Sequence, residues 1–262
     1  MPDQRIFSDV APLSKEAHGD WSLQMEGGYG FARQMSAVPL VLREMPVAAR
    51  EFPIIFAREG DGIKLFAILG LKKGENLFVQ EDGRWGGSYV PAVLRQYPFV
   101  VGRVKDSDRA LLSIDQGYAG FNQKGEGEAL FDGKGETLFG ENGAASEFVT
   151  KARDFVEELA KSSVLTERFC KTLKDLDVLS PMRITLAGPD GEKREIDGLQ
   201  TVDRDKLKAL PGDKVKELLD SNSMELIFLH LQSLGNLRSL ASRIPKEHGA
   251  ADLPDVDIPD LK

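Results

Sequence analysis

Apolar residues in the first half of the chain occur in short runs that alternate with turn residues. Residues 37–42 form one such run, which is typical of a short buried strand. Pro46 fits the first turn of a helix, where its missing N–H needs no partner. Pro53 disfavours the helical conformation at the residue before it, so this helix should end near Glu51. We therefore predict a strand, a short helix and a second strand that begins at Pro53.

The strand that begins at Pro53 is predicted to turn back as a hairpin. Residues 59–62 read Glu-Gly-Asp-Gly, which is the composition of a turn, and residues 63–70 have the apolar content of a returning strand. Residues 76–80 predict a further strand, which ends at a turn at Asp82 and Gly83.

The same pattern occurs a second time, 45 residues later. Residues 46–58 align without a gap on residues 91–103, and both prolines and both arginines coincide. A helix-proline-strand unit that is used twice accounts for this similarity. Residues 110–114 would supply the returning strand of the second unit. We therefore predict an α+β fold whose mainly antiparallel sheet contains the two hairpins side by side.

The second half of the chain is predicted to be rich in helix. Residues 117–144 contain eight glycines in 28 positions and predict a long loop. Ser146 can then cap the first of two helices that pack as a hairpin. A strand pair follows at 182–187 and 193–199, joined by a Pro-Asp-Gly turn. The remaining helices are predicted at 203–209, 212–220 and 223–242.

We expect three segments along the chain. Residues 1–36 show no strand or helix periodicity and predict an irregular N-terminal arm, and residues 245–262 predict an acidic, proline-containing tail. The α+β domain occupies residues 37–244, as one compact domain or as two closely joined lobes. Its parts are a sheet-rich region at 37–116, the glycine-rich loop at 117–144 and a helix-rich region at 145–244.

Composition narrows the classes of function. The 262 residues include 34 basic and 42 acidic side chains, a net charge of −8, which argues against nucleic-acid binding through a basic surface. A single cysteine, Cys170, excludes an internal disulfide. The N-terminus has no apolar signal segment, and no stretch of about 18 apolar residues occurs. We therefore expect a cytoplasmic protein without membrane insertion.

Few residues suit catalysis. Cys170 follows Phe169 on a predicted helix and is interpreted as a small buried hydrophobic residue. His230, on an apolar helix, is interpreted as a hydrogen-bonded structural histidine; the other histidines are His18 and His248. No metal-ligand spacing, Walker loop or dinucleotide fingerprint is present, so we predict no metal and no cofactor. A site made of carboxylates alone stays open, because 42 acidic residues offer many pairs.

The candidate ligand-binding residues are Trp85, Tyr89, Arg95 and Tyr97. Two glycines follow Trp85 and allow a close approach, while the rings and the guanidinium offer stacking surfaces and donors. A structural role competes with this interpretation. Tyr97 is equivalent to Phe52 in the repeat, which suggests a core ring with a polar tip. Arg95 is equivalent to Arg50, which suggests an ion pair that both units share.

Three blocks between residues 73 and 99 carry a recognisable signature: KGENLF at 73–78, GRW at 83–85 and YVPAVLRQYPF at 89–99. Supporting motifs are AREFPIIF at 49–56, GEALFD at 127–132, DGL at 197–199 and LGNL at 234–237. With these motifs the chain resembles the SapC family of bacterial proteins over residues 37–243. The N-terminal arm and the acidic tail depart from the family pattern, so the resemblance assigns them no role.

The resemblance implies a bacterial protein from a family named for its association with surface-layer protein secretion. The family has no established molecular activity and no agreed catalytic residues to transfer. Its members tend to be encoded beside flavin-dependent tryptophan halogenases, cupin-like oxygenases and outer-membrane receptors. This context implies a system that modifies peptides or metabolites.

Three hypotheses of function follow. The first is a cytoplasmic accessory protein that binds a polypeptide or a small ligand through a groove near Trp85, Tyr89 and the loop 117–144. It would serve surface-layer secretion or the modification of peptides or metabolites. The second is an enzyme that uses carboxylates on a peptide or small molecule, and the third is a structural homodimer without a ligand. We favour the first, since aromatic and glycine-rich segments without catalytic groups fit binding better than catalysis.

Overall fold

The computed structural model describes residues 6–25, 28–103, 110–132, 145–187 and 193–244. Its strands are β1 (Val10–Pro12), β2 (Ser22–Leu23), β3 (Ala37–Pro39), β4 (Ile54–Glu59), β5 (Gly62–Ile68), β6 (Phe99–Arg103), β7 (Ala110–Asp115), β8 (Phe121–Asn122), β9 (Glu128–Ala129), β10 (Leu179–Ala187) and β11 (Lys193–Val202). Its α-helices are α1 (Lys15–His18), α2 (Met45–Ala48), α3 (Ala92–Arg95), α4 (Glu147–Asp175), α5 (Arg204–Lys208), α6 (Gly212–Asp220), α7 (Ser223–Ser233) and α8 (Asn236–Ala241). Short 3-10 helices occur at Gly30–Ala32 and Leu42–Glu44. The predicted α+β class is confirmed.

Both predicted helix-strand-strand units form, but they belong to different sheets. Within the described residues the sheets have the orders β1-β7-β6, β10-β11-β4-β5-β3 and β8-β2-β9, and their strand pairs are antiparallel. The prediction that the two hairpins share one sheet is wrong. The β4-β5 hairpin has no free edge for the β6-β7 hairpin, because β11 pairs with β4 and β3 pairs with β5.

The two sheets have separate hydrophobic cores, and α4 packs against both. The larger core surrounds the five-stranded sheet and includes Phe169 and Leu173 from the second half of α4. The smaller core lies at the β1-β7-β6 sheet and includes Val149 and Val156 from the first half of that helix. Because one helix contributes to both cores, α4 fixes the position of one sheet against the other.

A single helix of 29 residues replaces the predicted hairpin of two helices. The predicted cap is present, since Ser146 Oγ accepts a hydrogen bond from the Val149 amide at 3.2 Å. Residues 147–175 contain neither glycine nor proline, so nothing in the backbone interrupts the helix. Apolar residues recur at helical spacing within 148–159 and again within 165–176, which suggested two helices. These two stripes correspond to the two cores that α4 contacts.

The last predicted helix is divided into α7 and α8 at Leu234 and Gly235. Directly after the division, the Asn236 side chain donates hydrogen bonds to the carbonyl oxygens of Ala49 at 2.8 Å and Phe52 at 3.2 Å. These bonds attach the start of α8 to the segment between α2 and β4. Glycine is a weak helix former, which is consistent with a break at this position.

Other local predictions have mixed outcomes. The strand pair at 182–199 and the helices near 203–209 and 212–220 are confirmed by β10, β11, α5 and α6. Residues 76–80 form no strand, and Val79 makes only an isolated bridge with Trp85.

The structure places β1, α1 and β2 within residues 1–36, and β8 and β9 within the glycine-rich segment. The division of the chain at residues 36 and 244 stays a prediction. The Pro-Asp-Gly turn predicted at 189–191 and the tail predicted at 245–262 lie outside the described residues.

His230 joins α7 to two strands of the larger sheet. Its imidazole is fully buried, and Nδ1 donates to the Ile54 carbonyl oxygen at 2.9 Å. Nε2 must therefore be the acceptor, and it receives hydrogen bonds from the Val202 amide at 3.2 Å and the Thr201 hydroxyl at 3.0 Å. This is the buried, hydrogen-bonded histidine that the sequence predicted. Burial lowers the pKa of His230 to about 4.

We predict that His230 makes the fold sensitive to acid. Below pH 6.5 the unfolded chain binds a proton at this imidazole, whereas the folded protein resists protonation down to about pH 4. The free energy of unfolding should therefore fall by about 3 kcal/mol between pH 7 and pH 4 because of this group. Urea unfolding at several pH values should show a smaller acid-dependent loss in His230→Gln than in the wild type. Equal losses in both proteins would contradict the assignment.

Candidate functional site

A groove lies between the β4-β5 hairpin and the β6-β7 hairpin, and α4 forms one of its walls. Its inner cavity has a volume of about 270 Å³ and is lined mainly by apolar residues of β5, β6, α3 and α4, among them Leu65, Val93, Val100 and Val156. An outer cavity of about 460 Å³ includes Tyr89, Arg95 and Phe155 in its lining. Val41, Glu44 and Leu159 line both cavities. We refer to the two cavities together as the α4 groove.

The carboxylate of Glu44 lies where the two cavities meet. This residue is 5% exposed. Its Oε2 accepts a hydrogen bond from the Val41 amide at 3.1 Å, and its Oε1 accepts from the Tyr89 hydroxyl at 2.9 Å and the Ala92 amide at 2.6 Å. Burial raises the pKa of Glu44, although these hydrogen bonds and the charge of Arg95 act in the opposite direction. Because α3 begins at Ala92, Glu44, directly before α2, holds the helix of the second unit.

Tyr89 and Arg95 are joined at the outer cavity. The Arg95 Nη2 donates to the Tyr89 hydroxyl at 3.2 Å, and its Nε donates to the Val90 carbonyl oxygen at 3.0 Å. The guanidinium also lies over the rings of Tyr89 and Phe155, at 5.5 and 5.0 Å from their centroids. Burial and the nearby charge of Glu44 raise the pKa of Tyr89 to about 12.

The ion pair expected in both repeat units is absent from the described residues. Arg50 is exposed to solvent and has no carboxylate within ion-pairing distance in that part of the chain. Arg95 has none there either, because its guanidinium bonds to Tyr89 and Val90 instead. This prediction is therefore wrong, and the two arginines have different surroundings.

Trp85 packs against the larger core and supports the loop that carries Tyr89. Its Nε1 donates to the Tyr89 carbonyl oxygen at 2.7 Å. Its ring stacks on Phe78, with centroids 5.3 Å apart and an interplanar angle of 14°. Glu51 holds the same loop, since its carboxylate accepts hydrogen bonds from the backbone amides of Ser88 and Tyr89. The polar atom of Trp85 is thus used inside the fold.

Tyr97 lies apart from the other three candidates. Its hydroxyl donates to the buried Asp115 carboxylate at 3.2 Å, and its ring stacks on Phe31 with centroids 4.3 Å apart. It lines a separate cavity of about 500 Å³, together with Phe31, Tyr118 and glycine backbone. Burial, followed by the charge of Asp115, raises the pKa of Tyr97 to about 12. The structure therefore brings Tyr89 and Arg95 together, places Trp85 behind their loop, and separates Tyr97.

Gln96 is a potential functional residue that the sequence analysis missed. This residue is 9% exposed and lines the inner cavity. Its amide has no hydrogen-bond partner among the described residues, and its polar atoms are not among the fully buried ones, so they are accessible to a bound molecule. In the repeat, Gln96 is equivalent to Glu51, whose carboxylate accepts several hydrogen bonds. That equivalence was the one signal in the sequence that could have identified it.

Cys170 also lines the inner cavity. It is almost completely buried, and burial raises the pKa of its thiol to about 12. A thiol in this state is protonated at neutral pH and is a poor nucleophile. The structure therefore agrees with the interpretation of Cys170 as a small buried hydrophobic residue.

The described ranges contain no group of three or more His, Cys, Asp or Glu side chains that could hold a metal ion. In the same ranges no helix combines the length and the apolar character needed to cross a membrane.

We predict that Glu44→Ala destabilises the fold by about 3 kcal/mol, because the Val41 and Ala92 amides and the Tyr89 hydroxyl lose their acceptor. Glu158→Ala is the matched control. Glu158 lines the same outer cavity, but it is exposed and paired with Arg43 and Lys161 at the surface, where ion pairs contribute little. Urea unfolding should show a large loss for the first variant and almost none for the second. Similar losses would contradict the role of Glu44.

Comparison with known proteins agrees with the motifs. The sequence model of the SapC family matches residues 13–240, nearly the whole chain. This match includes much of the N-terminal segment that was expected to depart from the family. No curated protein and no solved structure shows significant similarity to the chain. The chain belongs to the SapC family.

Proposed function

We propose that this chain is an accessory protein that binds a polypeptide segment or a small ligand in the α4 groove. The observation that carries the proposal is the amide of Gln96, which lines the mainly apolar inner cavity and has no hydrogen-bond partner among the described residues. Its polar atoms are not fully buried, so they are available to a molecule in the cavity. Ligand pockets typically combine apolar walls with a few polar groups of this kind.

The shape and lining of the groove support the same function. The two cavities, of about 270 and 460 Å³, together fall within the range of about 300–1,000 Å³ that is usual for ligand pockets. Apolar walls with a few polar groups are also typical of such pockets. Val100 and Val156 offer apolar surface inside, and Tyr89 and Arg95 offer polar atoms at the outer cavity. In this proposal Trp85 positions the Tyr89 loop and does not contact the ligand.

The biological setting of the proposal comes from the family resemblance. We place the protein in the cytoplasm, in a system that secretes surface-layer protein or modifies peptides or metabolites. The support for this setting is the resemblance to SapC proteins, and the α4 groove is the place where such a system would present its substrate. The homodimer without a ligand stays a prediction.

A carboxylate enzyme is the second candidate, and one observation favours it. Glu44 is a buried carboxyl with a raised pKa that lines both cavities, and such groups are enriched at catalytic sites. Asp154 and Glu158 line the outer cavity with it. Against catalysis, Glu44 already accepts three hydrogen bonds within the fold. Conversion of a bound molecule by the wild type, but not by Glu44→Gln, would favour the enzyme.

We predict that the protein carries a bound molecule when it is purified gently from its native host. Native mass spectrometry should show an added mass that is lost on denaturation. Ala160→Trp should remove most of this mass, because Ala160 is an exposed residue of α4 at the edge of the inner cavity and a large ring there would fill the entrance.

Leu165→Trp is the control, since Leu165 is exposed on α4 and is not among the residues that line the groove. It should retain the added mass. The proposal fails if the wild type carries nothing, or if Ala160→Trp carries as much as the wild type.

A further inference from the structure

We infer that the inner cavity binds a neutral primary carboxamide attached to an apolar body, with the carboxamide paired to Gln96. The inference rests on the proposed binding function and names the class of ligand. It draws on three features of the cavity: the hydrogen-bonding groups of Gln96, the charges around it, and the volume and lining of the space.

The amide of Gln96 pairs most completely with a group that both donates and accepts. Its Oε1 is an acceptor and its Nε2 carries two donors, in one plane. A primary carboxamide can satisfy both atoms at once with a pair of parallel hydrogen bonds. A carboxylate only accepts and an ammonium group only donates, so either would leave one atom of Gln96 unpaired. A trans peptide group directs its N–H and C=O to opposite sides and could satisfy only one.

The charges around the cavity also favour a neutral ligand. Glu44 and Glu167 line it, and they would repel a carboxylate. Lys64 lines it too, but its amino group forms an ion pair with Glu59. An ammonium group would be attracted to the two glutamates, but it would have to lose its hydration in a mainly apolar space, which costs far more than it does for an amide.

The remaining lining requires an apolar body of limited size. The cavity volume is about 270 Å³, which equals the volume that roughly nine water molecules occupy in liquid water. Aliphatic side chains surround it, among them Val93, Val100, Val156 and Leu159. An aromatic or branched aliphatic group that carries one carboxamide fits this space. Such a group occurs in small amides, and it occurs in polypeptides where a glutamine or asparagine side chain follows an apolar residue.

The test uses four probes with the same phenylpropyl body: 3-phenylpropanamide, its N-methylamide, 3-phenylpropanoate and 3-phenylpropylamine. Binding to the full chain is measured by NMR titration. We expect the primary amide to bind most tightly, and Gln96→Leu to weaken it about tenfold through the loss of two hydrogen bonds. A capped Leu-Gln-Leu peptide and its Leu-Glu-Leu counterpart then distinguish the sources. Selective binding of the first assigns a polypeptide, and binding of the small amide alone assigns a small molecule.

Stability separates a binding role from a structural role. The Gln96 side chain makes no hydrogen bond to the described residues and its amide is not fully buried, so the ligand-free Gln96→Leu variant should melt within about 2 °C of the wild type. Gln200→Leu is the matched control, since Gln200 Oε1 is buried without a partner and the residue is not among those that line the groove. It should raise the melting temperature without changing the affinity for the amide.

The outcomes that overturn the inference differ from those that overturn the proposed function. Tighter binding of the carboxylate, the amine or the N-methylamide would refute the primary amide as the ligand, as would equal affinity of the wild type and Gln96→Leu, or no binding of any probe. A melting temperature of Gln96→Leu more than about 2 °C below that of the wild type would make Gln96 a structural residue. In each case a host-derived mass that Ala160→Trp loses would still support the groove as a binding site.

Discussion

The buried carboxylate of Glu44 is the interaction on which the arrangement of the two strand units depends. A carboxylate can be buried only if donors surround it, and here two of the three donors, the Tyr89 hydroxyl and the Ala92 amide, come from the second unit. Separating the units would leave the charge of Glu44 with the Val41 amide as the one remaining donor of these three. Glu51 adds a second connection of the same kind to the Ser88 and Tyr89 amides. Glu44 and Glu51, which lie on either side of α2, thereby fix the loop that precedes the second unit and the helix that begins it.

The groove follows from the way the strands are paired. Since β3 and β11 occupy both edges of the β4-β5 hairpin, the β6-β7 hairpin forms a sheet with β1 instead. Two sheets that do not merge leave a gap, and α4 covers it because its two halves pack against the two cores. Gln96 lies at the end of α3, where Glu44 holds the second unit, and lines this gap. The candidate site is therefore a consequence of the pairing of β11 and β3 with the two edges of the β4-β5 hairpin.

Much of the local structure could be predicted from the sequence, because prolines, glycines and apolar periodicity act over a few residues. Both hairpins, the β10-β11 pair and the Ser146 cap follow from such signals. The division into two sheets depends on β11, more than a hundred residues from β4, so no local pattern reveals it. The sequence predicted two helices where α4 is continuous, because the apolar residues of its two halves pack against two different cores. Among the candidates, Tyr89 and Arg95 do meet, but Tyr97 contacts Asp115. Gln96 could not be identified from its own residue type, because its position at the cavity and the lack of a hydrogen-bond partner among the described residues depend on packing against distant parts of the chain.

The most direct test of the central claim, that the α4 groove is a ligand site, is to locate a bound probe by NMR. With methyl-labelled protein and 3-phenylpropanamide, we expect intermolecular nuclear Overhauser effects from the probe's ring protons to the methyl groups of Val100 and Val156, which line the inner cavity. Effects confined to methyl groups elsewhere, such as that of the exposed Leu219 on α6, would contradict the account.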